Sequence, residues 1–596
     1  MPSLLYYLRR AGEQSFRETL NQARSLASTR IAAVLLPAYD KVFSADLTVE
    51  ELLHRAGAST LSGLTGRLKA REWPRLPLLL PNAPAAAEGL IGVRMDWHAD
   101  PKSGYRWDKR LHSARIPIDP GTGVDIKGPW ELSRCHDLVT LGLAYRETED
   151  ERFSNEVIAR ILDWIEENPF RRGVNWVSPM EAGIRAVNWC WAFALVRTSS
   201  AVNEAFAGAF LKSLHTHATY VRSNLEFRQA WKEGRKVRLN SNHYLCDLAG
   251  LLSIGMLFPE LALEEHASFA ARELKVELME QITADGADYE HSTAYHRFVL
   301  EIFEYAFRLL SEPAPERLQR MRAFAAASTH PDGTLAQIGD NDGGRLLPPF
   351  PLKIEPGRHT AVFPHAGFYS MRGRNSHVFI SASRVGMRGL GSHSHNDVLS
   401  FEYFAGRAWI VDPGTYLYLS DTEARNWFRS TAAHNTVRVD REEIRPFHRE
   451  AVFQMVDRAD IRVSQWETTG PADVFEAEHT GYSHLSKPVV HRRRFEFAKA
   501  AAQLTIQDAL TGKGTHEFEW FFHVHPDVDV EQTDGDFILS HGGDRVRLRI
   551  ECPGAEMMAT PGWFSPAYGV RVPSTMVAAR VSSTPPIHTR IIIEPC

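Results

Sequence analysis

Cysteine is scarce in this chain, and the few cysteines present form no recognisable site. There are five in 596 residues, with wide spacings and no CxxC pair. An odd number in this arrangement argues against a disulfide framework and against a cysteine-bound metal cluster. Cys135, Cys190 and Cys246 stand in apolar runs with helical spacing. For these three we predict buried, chemically inert thiols.

Long apolar runs are also missing. The apolar run at 31–38 is too short to cross a bilayer. The first ten residues contain two arginines, but they lack the continuous apolar core and the small-residue cleavage site of a secretory signal. We therefore expect a cytoplasmic protein without a membrane span. A misassigned start codon would make a periplasmic location the alternative.

The chain has no strong excess of one charge. A formal net charge of −5 argues against general nucleic-acid binding, although it is compatible with a local basic cleft for an acidic ligand. There is no Walker A run, no GxGxxG after a strand and no GxSxG, so nucleotide binding and serine hydrolysis have no support. The 14 tryptophans would suit sugar rings in a groove, but burial in a core is the simpler interpretation for any one of them.

The chain changes character near residue 350. Before it, apolar residues recur at helical spacing, as in the run 245–256; after it, short β-branched runs such as 489–497 and 518–525 dominate. This predicts an all-α domain followed by an antiparallel β-sandwich or a pair of stacked sheets. Prolines between Leu346 and Gly357 mark a connector. The predicted organisation is a helical lead-in at 1–40, a helical domain at 41–345, the connector at 346–357 and a sheet domain at 358–596.

A cluster of histidines near the start of the sheet domain predicts a metal site. His393 and His395 precede an apolar strand-like run that turns at 405–406 and returns to Asp412. If those two residues form the turn, Asp412 faces Leu399 and lies at the same end of the hairpin as the histidines. A third histidine, His434, opens a later strand-like run. Two imidazoles and a carboxylate suit zinc or a similar divalent ion, and a polar histidine network is the equally weighted alternative.

Two polar segments directly precede helical runs. In the first, Ser241 or Asn242 is a candidate N-cap, and Asn242 with His243 would place a substrate carboxylate at a helix N-terminus. A simple capping segment is the slightly favoured alternative. In the second, Tyr289 and Tyr295 are candidate proton carriers. A free tyrosine has a pKa near ~10 and needs a cation or metal to act as a base near neutrality. A polar rim around the helix start is the favoured interpretation for each of these residues taken singly.

Smaller features complete the inventory. Trp130 and Glu131 with Arg134, and Glu181 with Arg185, fit the inner lip of a helical toroid or an ordinary polar surface beside core tryptophans. The loop 337–345 resembles a calcium loop but lacks the later bidentate glutamate. His523 and His525 share one face of a strand, and we assign them no role.

Taken together, these segments resemble the heparinase II/III-like polysaccharide lyases. The matching motifs, in the family's order, are PWELSR (129–134), EAGIRAVN (181–188), SNH (241–243), AYH (294–296), GDNDGGR (339–345), HSHND (393–397), VDPG (411–414) and HN (434–435). The resemblance implies an N-terminal incomplete (α/α) toroid and a C-terminal antiparallel β-sandwich. It also implies β-elimination at a uronic acid of an acidic polysaccharide or oligosaccharide, and a structural zinc ion.

The resemblance assigns roles to residues of this sequence. Asn242 or His243 neutralises the uronate carboxylate, with Asn240 also available, and Tyr295 is the base/acid with His393 as its partner. The zinc ligands are His395, Asp412 and His434. The implied substrate-binding residues are Trp130, Glu131, Arg134, Glu181, Arg185, Asn240, Tyr289 and His296.

Two other functions stay open at this point. One is an (α/α)-toroid glycoside hydrolase, which would need two carboxylates flanking the scissile bond, nominated from Glu131, Glu181, Asp288 and Glu290. The other is a non-catalytic glycan-binding protein of exopolysaccharide metabolism. Without a secretory signal, the lyase would trim imported oligosaccharides or act beside exopolysaccharide synthesis.

Overall fold

The computed structural model describes residues 47–232, 234–468, 470–533 and 535–596. The helical lead-in predicted at 1–40 lies outside these residues. Apart from one small hairpin, the chain is helical up to Ala327 and forms antiparallel strands from Ala361 onwards. The predicted fold class, helices first and stacked antiparallel sheets second, is therefore confirmed. Among the described residues, no helix combines the length and apolar composition needed to cross a bilayer.

Packing divides the chain into two compact units. The helical unit comprises the described part of Met1–Glu277 with Glu301–Pro313 and Arg345–Pro351. The sheet unit comprises Leu278–Leu300, Ala314–Gly344 and Leu352–Cys596. The sheet unit therefore includes segments that come before the connector in the sequence. The predicted domain boundaries at 345 and 358 stay a prediction.

Fourteen helices are described in chain order. They are α1 Val49–Arg55, α2 Leu61–Ala70, α3 Ala83–Glu88, α4 Lys127–Ser133, α5 His136–Thr148, α6 Glu151–Glu167, α7 Pro179–Val196, α8 Glu204–Ser223, α9 Asn242–Leu257, α10 Glu264–Glu280, α11 Thr293–Leu309, α12 Glu316–Ala327, α13 Gly386–Gly389 and α14 Thr422–Phe428.

Helices α7 and α9 form the centre of the helical unit. Every residue of α7 is buried, and proline at its first position suits a helix start. The backbones of the two helices are in close contact. A Cβ on Gly183 would lie 2.5 Å from the Cys246 carbonyl oxygen, and a Cβ on Gly250 would lie 2.6 Å from the Gly183 Cα. Glycine at both positions is thus required by this close approach. Cys135, Cys190 and Cys246 are buried free thiols, as predicted.

Strands of the sheet unit form two antiparallel sheets. One has the order β14-β15-β16-β19-β12-β11-β10-β9, and the other has the order β17-β18-β13-β7-β6-β5-β4-β3 with β8 beside β13. Their bounds, with the β1–β2 hairpin of the helical unit, are β1 Gln229–Lys232, β2 Arg235–Arg238, β3 Ala361–Phe363, β4 Phe368–Arg372, β5 Ser376–Ser381, β6 Ser400–Ala405, β7 Ala408–Ile410, β8 Val437–Val439, β9 Ile461–Glu467, β10 Ala472–Tyr482, β11 Val489–Ala498, β12 Gln503–Gly512, β13 His516–Val524, β14 Asp529–Thr533, β15 Asp536–His541, β16 Asp544–Glu551, β17 Glu556–Ala567, β18 Val570–Ser583 and β19 Ile587–Pro595.

The two sheets share one apolar core. Phe495 and Ile506 of one sheet and Phe401 and Phe522 of the other belong to the same buried cluster. Buried residues alternate with half-buried or exposed ones along β11, which places Val489, Phe495 and Phe497 on the core face. Burial of this large apolar surface is the main force that holds the sheets together.

The core also contains one buried ion pair. Arg493 on β11 makes two hydrogen bonds to the Asp508 carboxylate on β12, at 2.7 and 2.9 Å. His491 and the Trp520 indole bond to the same carboxylate, at 2.8 and 2.9 Å. Each of these buried charges therefore has a protein partner, as a buried pair requires.

The predicted hairpin register between β6 and β7 is wrong. Tyr403 pairs with Ile410 and Phe404 pairs with Ala408, so the ladder shifts at this point. The turn is centred after Ala405, whose amide donates to the Arg407 carbonyl at 2.9 Å. Such a shift is a β-bulge, which adds a residue to one strand and is not visible in the apolar pattern. Asp412 therefore does not face Leu399 across a regular ladder.

Candidate active site

A tyrosine and a histidine stack face to face in the sheet unit. Tyr295 belongs to the first turn of α11, where its amide donates to the Ser292 hydroxyl at 3.1 Å. Its ring lies parallel to the His393 imidazole, with centroids 3.6 Å apart and planes 16° apart. The Tyr295 hydroxyl is 3.1 Å from the Tyr418 hydroxyl. The structure thus brings together Tyr295 and His393, two of the four residues predicted to be catalytic.

Two carboxylates hold the His393 ring. His393 Nδ1 is 2.9 Å from Asp340 Oδ2, and Nε2 is 3.2 Å from Glu290 Oε2. Both carboxylate side chains are fully buried. Because each ring nitrogen faces a carboxylate, these two contacts fix the orientation of the imidazole ring that stacks on Tyr295.

Asp340 is the centre of a wider network. Besides His393, its carboxylate bonds to His395 Nε2 at 2.8 Å and to Arg425 through both oxygens, with 2.9 Å for the Nη2–Oδ2 contact. The Arg425 guanidinium also lies 5.1 Å from the centre of the Tyr418 ring. One buried aspartate therefore connects the Tyr295–His393 stack with His395.

Burial and nearby charges shift the pKa values of Tyr295 and His393. Burial and the carboxylates of Asp342 and Asp340 raise the pKa of Tyr295 well above its ordinary value. Burial lowers the pKa of His393, but its hydrogen bonds to Asp340 and Glu290 outweigh that effect and raise this pKa to about 9. Near neutral pH, Tyr295 therefore holds its proton, and His393 is an imidazolium that donates from both nitrogens.

The loop that carries Asp340 is pressed against the His393 segment. Gly339 has a φ of 70°, and a Cβ there would lie 2.6 Å from the His393 carbonyl oxygen. The Asp340 amide donates to that same oxygen at 3.0 Å. The sequence analysis included this loop among the family motifs but gave Asp340 no role, and it did not single out Tyr418 or Arg425. The signal for Asp340 was an acidic residue flanked by glycine in a loop of the family pattern.

Other predicted residues around α11 are interior. Tyr289 is 7% exposed and His296 is 1% exposed. His296 Nδ1 accepts from the Asp288 amide at 3.1 Å, and Nε2 lies 3.0 Å from the Met321 carbonyl oxygen. Burial and the nearby Glu290 carboxylate raise the pKa of the buried Asp288 carboxyl well above its ordinary value.

His395, Asp412 and His434 converge in the same unit. Each offers one ligand atom, and these atoms lie within 4.8 Å of one another. His434 Nδ1 is 2.6 Å from Asp412 Oδ2. His395 Nδ1 and His434 Nε2 are buried and have no hydrogen-bond partner among the residues that the structure describes, and burial lowers the pKa of both rings to about 4. Neutral imidazoles with an unused nitrogen beside a carboxylate are a donor set that fits zinc.

The predicted carboxylate-binding residues lie at the start of α9 in the helical unit. Ser241 is the N-cap and accepts from the His243 amide, which confirms the predicted helix start. His243 has a side chain that is 44% exposed and bonds through Nδ1 to Glu226. Asn240 and Asn242 are fully buried, and Asn240 donates to Glu277 at 2.8 Å. Of the three residues, only His243 is accessible from outside.

A separate set of predicted residues surrounds Arg134 in the helical unit. Arg134 makes two hydrogen bonds to Glu181, at 2.7 and 2.9 Å, and a third to Glu131, at 2.6 Å. The Glu131 side chain is 38% exposed, so it is the solvent-accessible member of this ion-pair network. The Trp130 indole donates to the Val174 carbonyl at 2.9 Å. Arg185 is fully buried and lies 4.0 Å above the Trp164 ring.

Comparisons with known proteins give a consistent result. The family model "Heparinase II/III N-terminus" matches residues 88–322, and "Heparinase II/III-like, C-terminal" matches residues 355–591. A heparin-sulfate lyase of Bacteroides stercoris is 22% identical over 530 residues, covering 78% of this chain and 75% of the relative. A heparin-sulfate lyase of Pedobacter heparinus is 24% identical over 423 residues, covering 64% of this chain and 60% of the relative.

The fold is similar to that of solved structures. A crystal structure of heparinase III matches with a TM-score of 0.71 at 16% identity, over 93% of each chain. At this identity the match establishes the architecture, and it agrees with the toroid-plus-sandwich fold expected from the sequence motifs.

Proposed function

The chain belongs to the heparinase II/III-like family of polysaccharide lyases, and from this premise we propose that it cleaves a uronic-acid-containing glycan by β-elimination. The observation that carries the proposal is the stacking of the Tyr295 ring on the His393 imidazolium. The Tyr418 hydroxyl lies next to the Tyr295 hydroxyl. The substrate class is an acidic polysaccharide or oligosaccharide, because the similar proteins of B. stercoris and P. heparinus are heparin-sulfate lyases. Bacterial exopolysaccharides with uronates belong to the same chemical class.

The elimination needs one proton to be removed and one to be delivered. A base takes the proton on C5 of the uronate, the C4–O bond breaks with its electron pair on the leaving oxygen, and a C4=C5 double bond forms. The leaving oxygen then accepts a proton. Negative charge develops on the uronate carboxylate during this step, so that carboxylate must be neutralised.

Tyr295 is our proposed base and acid. Its phenolate would take the C5 proton, and the resulting phenol would return a proton to the leaving oxygen. The free protein holds the proton on Tyr295, so this proton must first be released to solvent when substrate binds; each turnover, which moves the C5 proton to the leaving oxygen, then regenerates the phenolate. Two contacts favour it: the His393 imidazolium stacked on the ring, and the hydrogen bond from the Tyr418 hydroxyl, which lowers the Tyr295 pKa. A tyrosine needs such cationic help to act as a base.

Asp340 is our proposed positioning residue for the pair. It bonds to His393 and is itself held by Arg425, so it fixes the imidazole orientation and supports its positive charge. Burial opposes ionisation of Asp340, but Arg425 and the two histidines lower its pKa well below the ordinary value. Asp340 is thus an ionised carboxylate bonded to the His393 ring.

Asn242 and His243 are our proposed partners of the uronate carboxylate. Both stand in the first turn of α9, where backbone N–H groups and the helix dipole favour an anion. The exposed His243 side chain, bonded to Glu226, is the more accessible of the two. The other predicted substrate-binding residues keep that role as a proposal, with Glu131 as the accessible member of the Arg134 cluster.

We also propose that His395, Asp412 and His434 hold a structural zinc ion. The support is the pair of buried ring nitrogens without partners next to a carboxylate. When bound, the ion would supply a fixed geometry to the segments that carry these residues. Asp340 bonds to the other nitrogen of His395, the arrangement that orients histidine ligands in metal sites.

A product assay on a substrate panel tests the function. The panel contains heparan-type, hyaluronan-type and alginate-type glycans and bacterial exopolysaccharides, and ultraviolet absorbance reports the unsaturated sugar. We expect absorbance to rise with at least one uronate glycan. New reducing ends without absorbance would instead establish a glycoside hydrolase, and binding without either product would establish a non-catalytic protein.

A further inference from the structure

A small basic hairpin projects from the segment that leads into α9. Residues 226–238 contain five cations and two carboxylates, in a chain whose net charge is −5. Strands β1 and β2 pair in this segment with Trp231 opposite Lys236. The local charge is therefore opposite in sign to that of the whole molecule.

The base of the hairpin is anchored to the helical unit. Val237 is 7% exposed, and Arg238 forms ion pairs with Glu273 at 2.8 Å and Glu277 at 2.6 Å. The Arg228 amide donates to the Asn240 side chain at 2.6 Å, and the Leu239 amide donates to the Arg228 carbonyl at 3.0 Å. These contacts fix the position of the hairpin relative to the start of α9.

The tip of the hairpin presents an aromatic ring beside cations: Trp231 and Lys236 share one face of the ladder, and Arg235 lies on the other. Trp231 is 59% exposed, the highest value among the described tryptophans. Lys236 and Arg235 are exposed, and neither has an ion-pair partner within the part of the chain that the structure describes. The second exposed tryptophan, Trp563, differs because the Arg571 guanidinium lies 4.5 Å from the centre of its ring. The Trp231 ring has no such cover among described residues.

We propose that this tip, formed by Trp231, Arg235 and Lys236, binds sugars of the acidic glycan other than the one that reacts. A tryptophan face packs against the apolar face of a sugar ring, and the two cations pair with carboxylates or sulfates of neighbouring sugars. The hairpin and the proposed carboxylate partner His243 are joined through the Arg228–Asn240 bond and the Glu226–His243 contact. The proposal rests on the proposed function and names an additional binding surface for its substrate.

Chain length is the variable that distinguishes this surface from the reacting centre. Under this proposal, a polymer contacts the hairpin while one of its uronates reacts, and the shortest cleaved oligosaccharide does not. For Trp231→Ala we expect KM for the polymer to rise about tenfold with kcat unchanged, and for Arg235→Gln/Lys236→Gln about fivefold, with a weaker dependence of KM on salt. For the short substrate, both variants keep the wild-type KM within about twofold.

Trp563→Ala is the matched control, because it also removes an exposed tryptophan from a strand. Equal polymer KM values for Trp231→Ala and Trp563→Ala would overturn the proposal, as would equal losses on both chain lengths. Circular dichroism verifies that each variant is folded.

A binding measurement separates this proposal from the proposed function. Heparan sulfate chains and neutral dextran are titrated into the full-length protein and into the two hairpin variants. If no panel glycan is cleaved but heparan sulfate binds and the hairpin variants weaken it, the lyase function is refuted while the surface stands. Binding of heparan sulfate that is indifferent to all three substitutions, or equal binding of dextran, refutes the surface.

Discussion

Replacing Tyr295 by phenylalanine removes one oxygen from the stack and leaves the ring in place. The lost interaction with Tyr418 is a single neutral hydrogen bond, worth about 1 kcal/mol of folding stability. A positioned proton carrier contributes on the order of 10²–10⁴ in rate. We therefore expect kcat to fall by at least about 100-fold with little change in KM, because the effect is on proton transfer rather than on ground-state binding.

The matched control is Tyr305→Phe. Tyr305 is also fully buried, and its hydroxyl lies 2.9 Å from the Trp191 indole nitrogen and 2.7 Å from the Ser253 hydroxyl. It should lose a similar amount of stability and keep the wild-type rate. Initial rates of ultraviolet absorbance and urea unfolding are measured for both variants. A Tyr295→Phe rate equal to that of the control would refute Tyr295 as the base and acid.

Three further outcomes follow from the buried network and the core. Asp340→Asn should lower kcat by at least about tenfold and zinc affinity by about 10–100-fold, checked by kinetics and by competition with a chelator; unchanged metal affinity would separate Asp340 from the zinc site. Asp508→Ala leaves Arg493 buried and unpaired and should cost about 3–5 kcal/mol in urea unfolding, whereas Glu478→Ala in an exposed ion pair should cost less than about 1 kcal/mol. Burial favours the neutral form of Asp508, but Arg493 and His491 hold the pKa of Asp508 below its ordinary value. The ionised carboxylate therefore contributes to folding stability above the unfolded pKa of about 3.9, and this stability is lost as pH falls. Acid unfolding of Asp508→Asn should therefore depend less steeply on pH than that of the wild type, and equal slopes would contradict this.

The sequence predicted helices and strands correctly where a few neighbouring residues determine the structure. The change from helical to alternating spacing near residue 350 gave the correct order of helices and sheets, and Ser241 was a correct cap candidate because capping needs only a few neighbouring residues. The bulge between β6 and β7 escaped prediction because the apolar pattern along both strands is the same with or without the extra residue.

The site could be predicted only in part, for a physical reason. Tyr295, His393 and the three proposed metal ligands carried recognisable motifs. Tyr418 and Arg425 did not, because they act through contacts with residues 85 to 123 positions away. Asp340 was in a recognised motif but had no role, since a carboxylate that bonds to two histidines and an arginine looks in sequence like any loop aspartate.

The glycine contact between α7 and α9 has an evolutionary consequence. Gly183 and Gly250 lock these helices together, so their spacing is independent of the segment that connects α8 to α9. Changes of loop length in such a connection carry a small entropic cost. The β1–β2 hairpin lies in this connection, so natural variation or protein engineering can lengthen, shorten or recharge it without rebuilding the helical core. Related chains could thus diversify their glycan preference at this hairpin while the reaction chemistry stays constant.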